Sequence, residues 1–550
     1  MPCPLPILRE RSEPMAKKVV PVRNSGYDQS GASWQKQSLK AMIPNSRAPW
    51  EDIDSNNFTL RQRSRMLYMA SPIGASAIKT NRTNVVGNGL KLQSNINRQV
   101  LGMTKEQAEE WQKKTEAEFE LWASKKNACD ATGMNDFYGI QQLALMSWLM
   151  SGDTFAIIKR YDRTSLQPYG LRIHLIEADR VRTPMVDGTG IIYDTRGHND
   201  ETGNDIYDGV EVDKNGKVVA YYVANTYPFE PTLTLTDFVR VEAYNNVTGL
   251  PNILHIMDSE RPDQYRGVPY LAQIIEPVLQ TNRYTNAEIM AAVVQSFHTA
   301  FITTESDPTD MPFNEAIPDY EQISEDRNDY EMGPGTINIL QPGEDVRFNT
   351  PTHPNTAFDV FMKSICTQIG SALEIPRDLL LKEFNASYSA SRAAMLEAWK
   401  AFKMRREWLT NDFCKPIYEI WLTEAIALGR IQAPGFFNDP LIRQAYLGSE
   451  WIGPAQGQLD GTKEIQAATM AIEAGLSTRE QEAIKLNGSD YAANADKLAV
   501  ENEKLRQANT SDSAQNISNE ENFGENFANY LRKTVENTVK SEVEKIHETE

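Results

Sequence analysis

The stretch Lys382–Gly429, KEFNASYSASRAAMLEAWKAFKMRREWLTNDFCKPIYEIWLTEAIALG, decides the fold. It follows a proline-bounded break, Leu373-Glu374-Ile375-Pro376, and opens on a loop rich in Tyr and Ser. Ser391 is placed to cap a helix, because a serine hydroxyl accepts from a first-turn N–H that has no partner of its own. The helix is predicted to run to Ala427 and to stop at Gly429, the residue best suited to a left-handed terminator. Met395, Trp399, Phe402, Leu409 and Phe413 recur on one apolar face, while Lys403, Arg405 and Arg406 form a basic cluster. Pro416 predicts a kink. A helix this long suits a ring subunit that stacks on its neighbours, although periodicity alone does not establish a ring.

Upstream, Ala357 to Leu373 reads as a helix, and so does Tyr270 to about Thr303, whose stripe of Leu271, Ile274, Ile275, Val278, Ile289, Val293 and Phe297 is interrupted by Pro277. Between them, Thr303–Met332 holds ten acidic residues against Arg327 alone, and Pro308, Pro312 and Pro318 exclude a continuous helix. Gly-Pro-Gly and Gln-Pro-Gly then bracket a short strand, Thr336–Leu340. The order describes a helical hairpin with an elaborated acidic tip. Taken alone, that tip reads first as a solvated loop.

Nearer the N-terminus, Thr104 and Gln107 make a capping box for a helix over Thr104–Ser124 that carries Ala108, Trp111, Thr115, Phe119 and Trp122 inward. A second helix is predicted over Asp136–Met150, and its tryptophan, like those of the first, reads as packing. From Asp153 to Asp258 the pattern turns β-rich, with runs at Thr154–Lys159, Leu171–Ile176 and Val239–Ala243. Val210–Val219 reads as a hairpin whose Asn215-Gly216 suits a type I′ turn. The fold class is therefore α+β, mainly helical, with a β-rich insertion.

At 550 residues the chain can hold several domains, and its 40% hydrophobic content is that of an ordinary globular protein. The net charge of −19, from 75 acidic and 56 basic residues, argues against a protein that grips duplex DNA, since such affinity rests on neutralised phosphates. Cys3, Cys129, Cys366 and Cys414 lie far apart, indicating neither a zinc site nor a disulfide framework and fitting synthesis in a reducing cytoplasm. No secretory signal is expected, and Met15 is an alternative start. The longest apolar stretch, Ala287–Ile302, contains Gln295, Ser296 and His298 and falls short of the roughly 20 residues a membrane span needs, so no membrane insertion is expected. The chain has no Gly-x-x-x-x-Gly-Lys-Ser/Thr loop and no His-Glu-x-x-His. No catalytic residue, metal site or cofactor is predicted.

Several short motifs, in order, carry a resemblance. Asn385-Ala386-Ser387-Tyr388-Ser389-Ala390-Ser391-Arg392-Ala393 resembles the Asn-Tyr-Ser-Ser-x-Arg-Ala motif of the lambda-type portal proteins of tailed phages, one residue longer here. Arg61–Arg65 through Val85-Val86-Gly87-Asn88-Gly89 resembles that family's opening helix and turn, and Asp130–Gly152 its Cys-Asp, Asp-Phe and Ser-Gly-Asp steps. Arg261–Pro269 is similar to its Arg-Pro-Gly-Gln-x-Arg-Gly-Val-Pro run, with Asp263 in place of Gly. Trp451–Pro454 and Lys463–Arg479 match its closing pattern, so the resemblance covers roughly residues 60–490.

The resemblance implies a portal fold with wing, stem, clip and crown regions. Its expected map is a basic, mostly disordered N-terminal arm (1–50), the wing with its β-rich part (51–265), a first stem helix (266–302) and the clip (303–352). A second stem helix (353–373), a tunnel loop (374–390), the long kinked helix joining stem to crown (391–430) and the crown with its closing region (431–508) follow. Independently of the resemblance, residues 509–550 read as a polar linker and a tail helix predicted from the spacing of Phe527, Leu531, Val535 and Val539, either awaiting a partner or fraying in solution.

It further implies a homo-oligomer, usually a dodecamer, at one virion capsid vertex, with double-stranded DNA passing through without sequence specificity. A strongly acidic ring repels DNA within a Debye length of about 8 Å at physiological salt, which favours sliding over sticking. Expected partners are the large terminase subunit and later a head-completion or tail connector protein at the clip, where Glu305, Asp307, Asp310, Glu321 and Asp326 lie. Major capsid and scaffold proteins are expected at the two ends of the chain. Lys382, Glu383, Phe384, Asn385, Tyr388 and Arg392 would line the tunnel, with Lys382 and Arg392 nearest DNA unless they pair instead with Glu383 or Glu397. The rival readings are another phage head or tail adaptor, and a metal-dependent nuclease using Asp307 and Asp310.

Overall fold

The computed structural model describes residues 27, 31–184, 195–230, 236–296, 300–302, 337–339, 357–384, 387–457, 461–489, 491–512, 532 and 533. Helix predominates in a mixed α and β chain, and most strands fall between residues 153 and 257. The chain enters through α1 (Pro49–Asp52), α2 (Asp54–Ala70) and α3 (Pro72–Val85). β1 (Lys91–Ser94), α4 (Arg98–Leu101), α5 (Lys105–Ala123), α6 (Lys126–Cys129) and α7 (Phe137–Ser151) follow. α5 begins with the expected capping box, and Asp136 caps α7 by accepting from the Gly139 N–H at 2.7 Å. Ala108, Thr115, Phe119 and Trp122 are buried as their spacing predicts.

β2 (Asp153–Arg160) and β3 (Leu171–Glu177) lead into a meander, β4 (Arg196–Asn199), β5 (Asn204–Tyr207), β6 (Val210–Val212), β7 (Val218–Ala224) and β8 (Phe238–Glu242). β9 (Ile253–Met257) then returns to β2. The result is an antiparallel sheet β3-β2-β9 beside a five-stranded antiparallel sheet β4-β5-β6-β7-β8. Phe155, Ile176, Val181, Val210, Val212, Tyr221, Val223, Ala243 and Ile253 form their shared core.

The predicted hairpin is β6–β7, but its turn is not type I′. Gly216 has φ +84° whereas Asn215 is not in the left-handed region, and the Gly216 N–H donates to the Asp213 carbonyl at 3.0 Å. The Asp213 carboxylate accepts from the Asn215 and Lys217 N–H groups, which selects a type I turn followed by a glycine bulge.

A 3₁₀ turn at Ala272–Ile274 precedes α8 (Ile275–Ser296), so the expected helix from Tyr270 to Thr303 is shorter at both ends. Pro277 lies in the first turn of α8, where a missing N–H leaves no bond unmade, and it starts the helix rather than interrupting it. β10 (Ala300–Ile302) pairs in parallel with β11 (Ile337–Ile339), the strand predicted between the two glycine-proline turns. α9 (Phe358–Ala372) packs on α8, with Tyr284 stacked on Phe358 at 5.6 Å.

The long helix is built from α11 (Tyr388–Leu409), a π turn (Thr410–Cys414) and α12 (Lys415–Ala427), after the short α10 (Arg377–Leu381). Its break is thus a π turn ending one residue before Lys415-Pro416, an extra residue in the turn accommodating the proline's missing donor. It ends as predicted: Gly429 has φ +71°, its N–H donates to Ile426, and the Arg430 N–H donates to Ala425. α13 (Pro440–Tyr446), β12 (Ser449–Ile452), α14 (Gly461–Glu473), α15 (Arg479–Asn487) and α16 (Tyr491–Asp512) complete the described chain, β12 pairing with β1.

Phe119 sits at the centre of the main core. The rings of Trp122, Phe137, Tyr418, Trp421 and Trp451 lie 5.0–6.0 Å from it and lock α5, α7, α12 and β12 together. The long helix is therefore anchored at its far half and carries the segment before it on a rigid mount.

Candidate functional site

The segment expected to line a channel begins where α9 stops. Glu374 takes φ +53°, and the Ile375 carbonyl approaches so closely that a Cβ on Gly370 would lie 2.5 Å from its oxygen. Pro376 then starts α10, whose Leu379 and Leu380 are buried against α3, where the Ser76 hydroxyl donates to the Leu380 carbonyl at 2.6 Å. α10 ends at Lys382, itself left-handed at φ +59°. Two non-glycine residues in that region bound a single helical turn, a strained arrangement that persists only where neighbours hold it.

Those neighbours are visible. Arg405 donates to the Glu374 carboxylate at 2.7 Å and to Asn81 at 3.2 Å, and its guanidinium lies 4.8 Å from the Tyr270 ring centroid. The Lys382 ammonium donates to the Thr80 hydroxyl at 3.3 Å, and Glu383 faces Lys363 at 3.7 Å. Phe384 is 57% exposed.

The helix cap is Ser387, not Ser391. The Ser387 hydroxyl accepts from the Ala390 N–H at 3.4 Å, so Tyr388 is the first residue of α11 instead of part of the loop. Ser387 wins because its backbone is non-helical at φ −59° and ψ 153°, the geometry of a cap residue, whereas Ser391 already lies inside the helix. Arg392 lies a turn into the helix, 3.9 Å from Glu464, beside a cavity of about 290 Å³ that Glu482 and Lys485 also line. Lys382, Glu383 and Phe384 thus share one turn, whereas Arg392 points to α14. Glu397 pairs with Lys400 at 2.6 Å.

The basic cluster on α11 dissolves on inspection. Only Lys403 is exposed. Arg405 is buried in the node above, and Arg406 donates to the carbonyls of Val85, Asn84 and Pro454. Burial without a carboxylate partner lowers Arg406 to about 10. Across the π turn, burial and then the nearby Asp258 charge raise Asp412 to about 6.

A second constellation, which spacing alone did not reveal, unites three of the quoted motifs. Arg266, fully buried, donates to Asp153 at 2.7 and 3.2 Å and to the carbonyls of Val181 and Ala178, and pairs with Asp208 at 2.8 Å. Arg61 joins Asp208 at 3.1 Å and the Ser151 carbonyl at 3.2 Å. Arg65 reaches Asp179 and Glu177. Burial opposes the Asp153 charge, but Arg266 and Arg61 outweigh it and hold that carboxyl well below its usual range. Asp54 is pushed up to about 7 by burial and then by Asp208, which together outweigh the opposite pull of Arg266 and Arg61.

Beneath this network the chain crosses itself backbone to backbone. A Cβ on Gly267 would lie 1.9 Å from the Gly152 carbonyl oxygen, and one on Gly152 would lie 2.4 Å from that of Gly267. The Arg-Gly and Ser-Gly-Asp motifs are therefore a structural joint. The signal was present as charges inside otherwise apolar surroundings, but its members are scattered over some two hundred residues.

Glu305, Asp307, Asp310, Glu321, Asp326, Asn385, Phe527, Leu531, Val535 and Val539 lie outside the described residues. Among the described residues no group of three or more His, Cys, Asp or Glu is placed to hold a metal ion, and no helix is long and apolar enough to cross a membrane.

A family model described as phage portal protein, lambda family, matches residues 35–406. The chain belongs to that family. It is 25% identical over 489 residues to portal protein B of Escherichia phage lambda, covering 85% of this chain and 87% of that one. It is 24% identical over 486 residues to the portal protein of Escherichia phage N15, covering 85% and 88%. Among solved structures, a chain of the native gene transfer agent virion matches with TM-score 0.37 and 13% identity over 81% of this chain and 97% of that one. A chain from the neck of the native particle matches with TM-score 0.35 and 13% identity over 79% and 94%. The protein is thus a portal subunit of a phage capsid vertex, a structural component of the virion, and the reading as some other head or tail adaptor falls away.

Proposed function

We propose that copies of this portal subunit close into a ring of twelve through which double-stranded DNA is packaged and ejected. In this reading α8 and α9 are the stem, residues 303–352 the clip, 374–390 the tunnel loop and 431–508 the crown. The large terminase subunit docks at the clip during packaging, and a head-completion or tail connector protein follows it there. Capsid and scaffold proteins meet the ends of the chain, and the tail positions Phe527, Leu531, Val535 and Val539 give one of those partners an apolar stripe.

The observation that carries the ring is the apolar surface left uncovered on the paired helices. Leu279, Ile289 and Met290 of α8 and Val360 and Phe361 of α9 are 45–69% exposed. Covering a side chain of this kind is worth roughly 1.5–3 kcal/mol when complete, and such clustering on a monomer marks an interface. A neighbouring subunit is the cover a ring supplies. Lys382, Glu383 and Phe384, on the turn carried by α10, then face the passing duplex with one cation offset by one acid, which suits weak contact.

Sedimentation of the purified protein tests this. Assemblies of ring size are expected for the native chain, and Ile289→Asp with Phe361→Asp should shift it toward monomer. A native chain that stays monomeric at every concentration overturns the proposal.

A further inference from the structure

Upstream of α1 lies a segment whose large side chains are mostly exposed. Residues 31–48 contain Lys36, Lys40 and Arg47 and no acid, a charge of +3 on a chain of −19 overall. Trp34 is 70%, Met42 69% and Ile43 77% exposed, three large apolar residues within ten positions. Isolated exposed apolar residues are ordinary, but a cationic strap that presents three of them has the composition of an interface anchor.

The root of the strap is fixed. The Arg261 guanidinium donates to the Arg47 carbonyl at 3.0 Å and to Asp52 at 2.7 Å. The Trp50 ring lies 4.9 Å from the Arg196 guanidinium and 6.3 Å from Tyr207. From that clamp to Trp34 the chain spans thirteen residues, a reach of up to about 40 Å if extended. That is enough to cross from one subunit to the next.

A face of matching chemistry exists on the same molecule. β8 is an edge strand of the five-stranded sheet, and near it Val239, Tyr244 and Val247 are 58%, 54% and 93% exposed. Asp237 precedes this strand and Glu242 ends it, both exposed; Glu242 accepts from Asn246 at 2.9 Å and lies 4.0 Å from Arg240, which leaves Asp237 as the carboxylate best placed for a cationic segment. Among the described residues no strand pairs with the outer edge of β8, and an open edge with apolar side chains is a pairing hazard that native proteins cover.

We infer that residues 31–48 are an intersubunit strap, reaching from one portal subunit to the β8 edge of a second copy. The inference rests on the ring reading, because it needs a neighbour held at a fixed distance. Its charge complementarity and its reach favour a second copy over a foreign protein: the rest of the chain carries −22, and the acceptor edge is present in every subunit.

The test uses the full chain with a benzophenone amino acid in place of Trp34, and separately in place of Ile43, assembled and then irradiated. Both sites are exposed, so folding is not at stake. Crosslinks running between subunits, mapped to residues 237–247, are expected as a ladder of covalent oligomers, and Lys36→Glu with Lys40→Glu should reduce that ladder severalfold. Intact rings whose crosslinks stay within one chain, reach only a different protein, or do not form overturn the strap alone. A chain that makes no rings overturns the ring and the strap together.

Discussion

Replacing Arg266 by methionine should cost this subunit a large part of its local stability, and the reason lies in what the arginine leaves behind. Its guanidinium is fully buried and is the principal counter-charge to Asp153, itself fully buried, and to Asp208. Methionine fills much of the volume but leaves the two carboxylates to share Arg61 alone, at 3.7 Å from Asp153 and 3.1 Å from Asp208. Breaking a buried pair from one side costs about 3–5 kcal/mol, against a total of roughly 5–15 kcal/mol for a domain. Hydrogen exchange at the β2 and β9 amides reads this directly, and their protection should fall by roughly a hundredfold to a few thousandfold.

The pH dependence gives a second signature of the same change. In the native chain Asp153 titrates below its unfolded value, so its contribution is present above about pH 4 and is lost as pH falls further. Without Arg266, burial is opposed mainly by Arg61 and the folded value moves up, so the variant gains on the native chain as pH falls toward 4. The gap between native and variant should therefore narrow from pH 7 to pH 4. A loss under 1 kcal/mol, or a gap that widens on acidification, would refute the reasoning.

Three further outcomes follow from the same geometry. Gly267→Ala places a methyl 1.9 Å from the Gly152 carbonyl, so soluble yield should collapse or the melting temperature drop by many degrees, and a drop of under 2 °C contradicts the joint. Asp54 carries a folded pKa of about 7 against an ordinary value near 4, so native stability declines as pH rises through that interval; Asp54→Asn should flatten the decline in melting scans from pH 5 to 8. Ser387→Ala should cost about 1 kcal/mol by removing the cap of α11, whereas Ser391→Ala, a turn inside the helix, should be nearly neutral in denaturant titration.

Much of the helical layout was legible because local rules decide it. The Thr104 capping box, the apolar stripe of α5 and the Gly429 terminator need only their own neighbours. The errors fall where distant residues decide. Arg405 and Arg406 read as a surface patch since spacing cannot tell a solvent-facing arginine from one whose long stem reaches buried carbonyls. Pro277 looked like a break because the start of α8 is fixed by the 3₁₀ turn before it. Arg61, Asp153 and Arg266 belong to separate motifs and Asp208 to none, and only folding brings them within one network. In the segment proposed to line the channel, the turn at Lys382 was legible as a loop, but its left-handed backbone and its hold on Thr80 depend on α3, some three hundred residues earlier.

The most direct test of the central claim is electron cryo-microscopy of the purified full-length subunit. A closed ring of about twelve copies is expected, with the turn Lys382–Phe384 at the narrowest part of its channel and the exposed faces of α8 and α9 covered by neighbours. Particles with no central channel, or a ring that carries that turn on its outer surface, would contradict it.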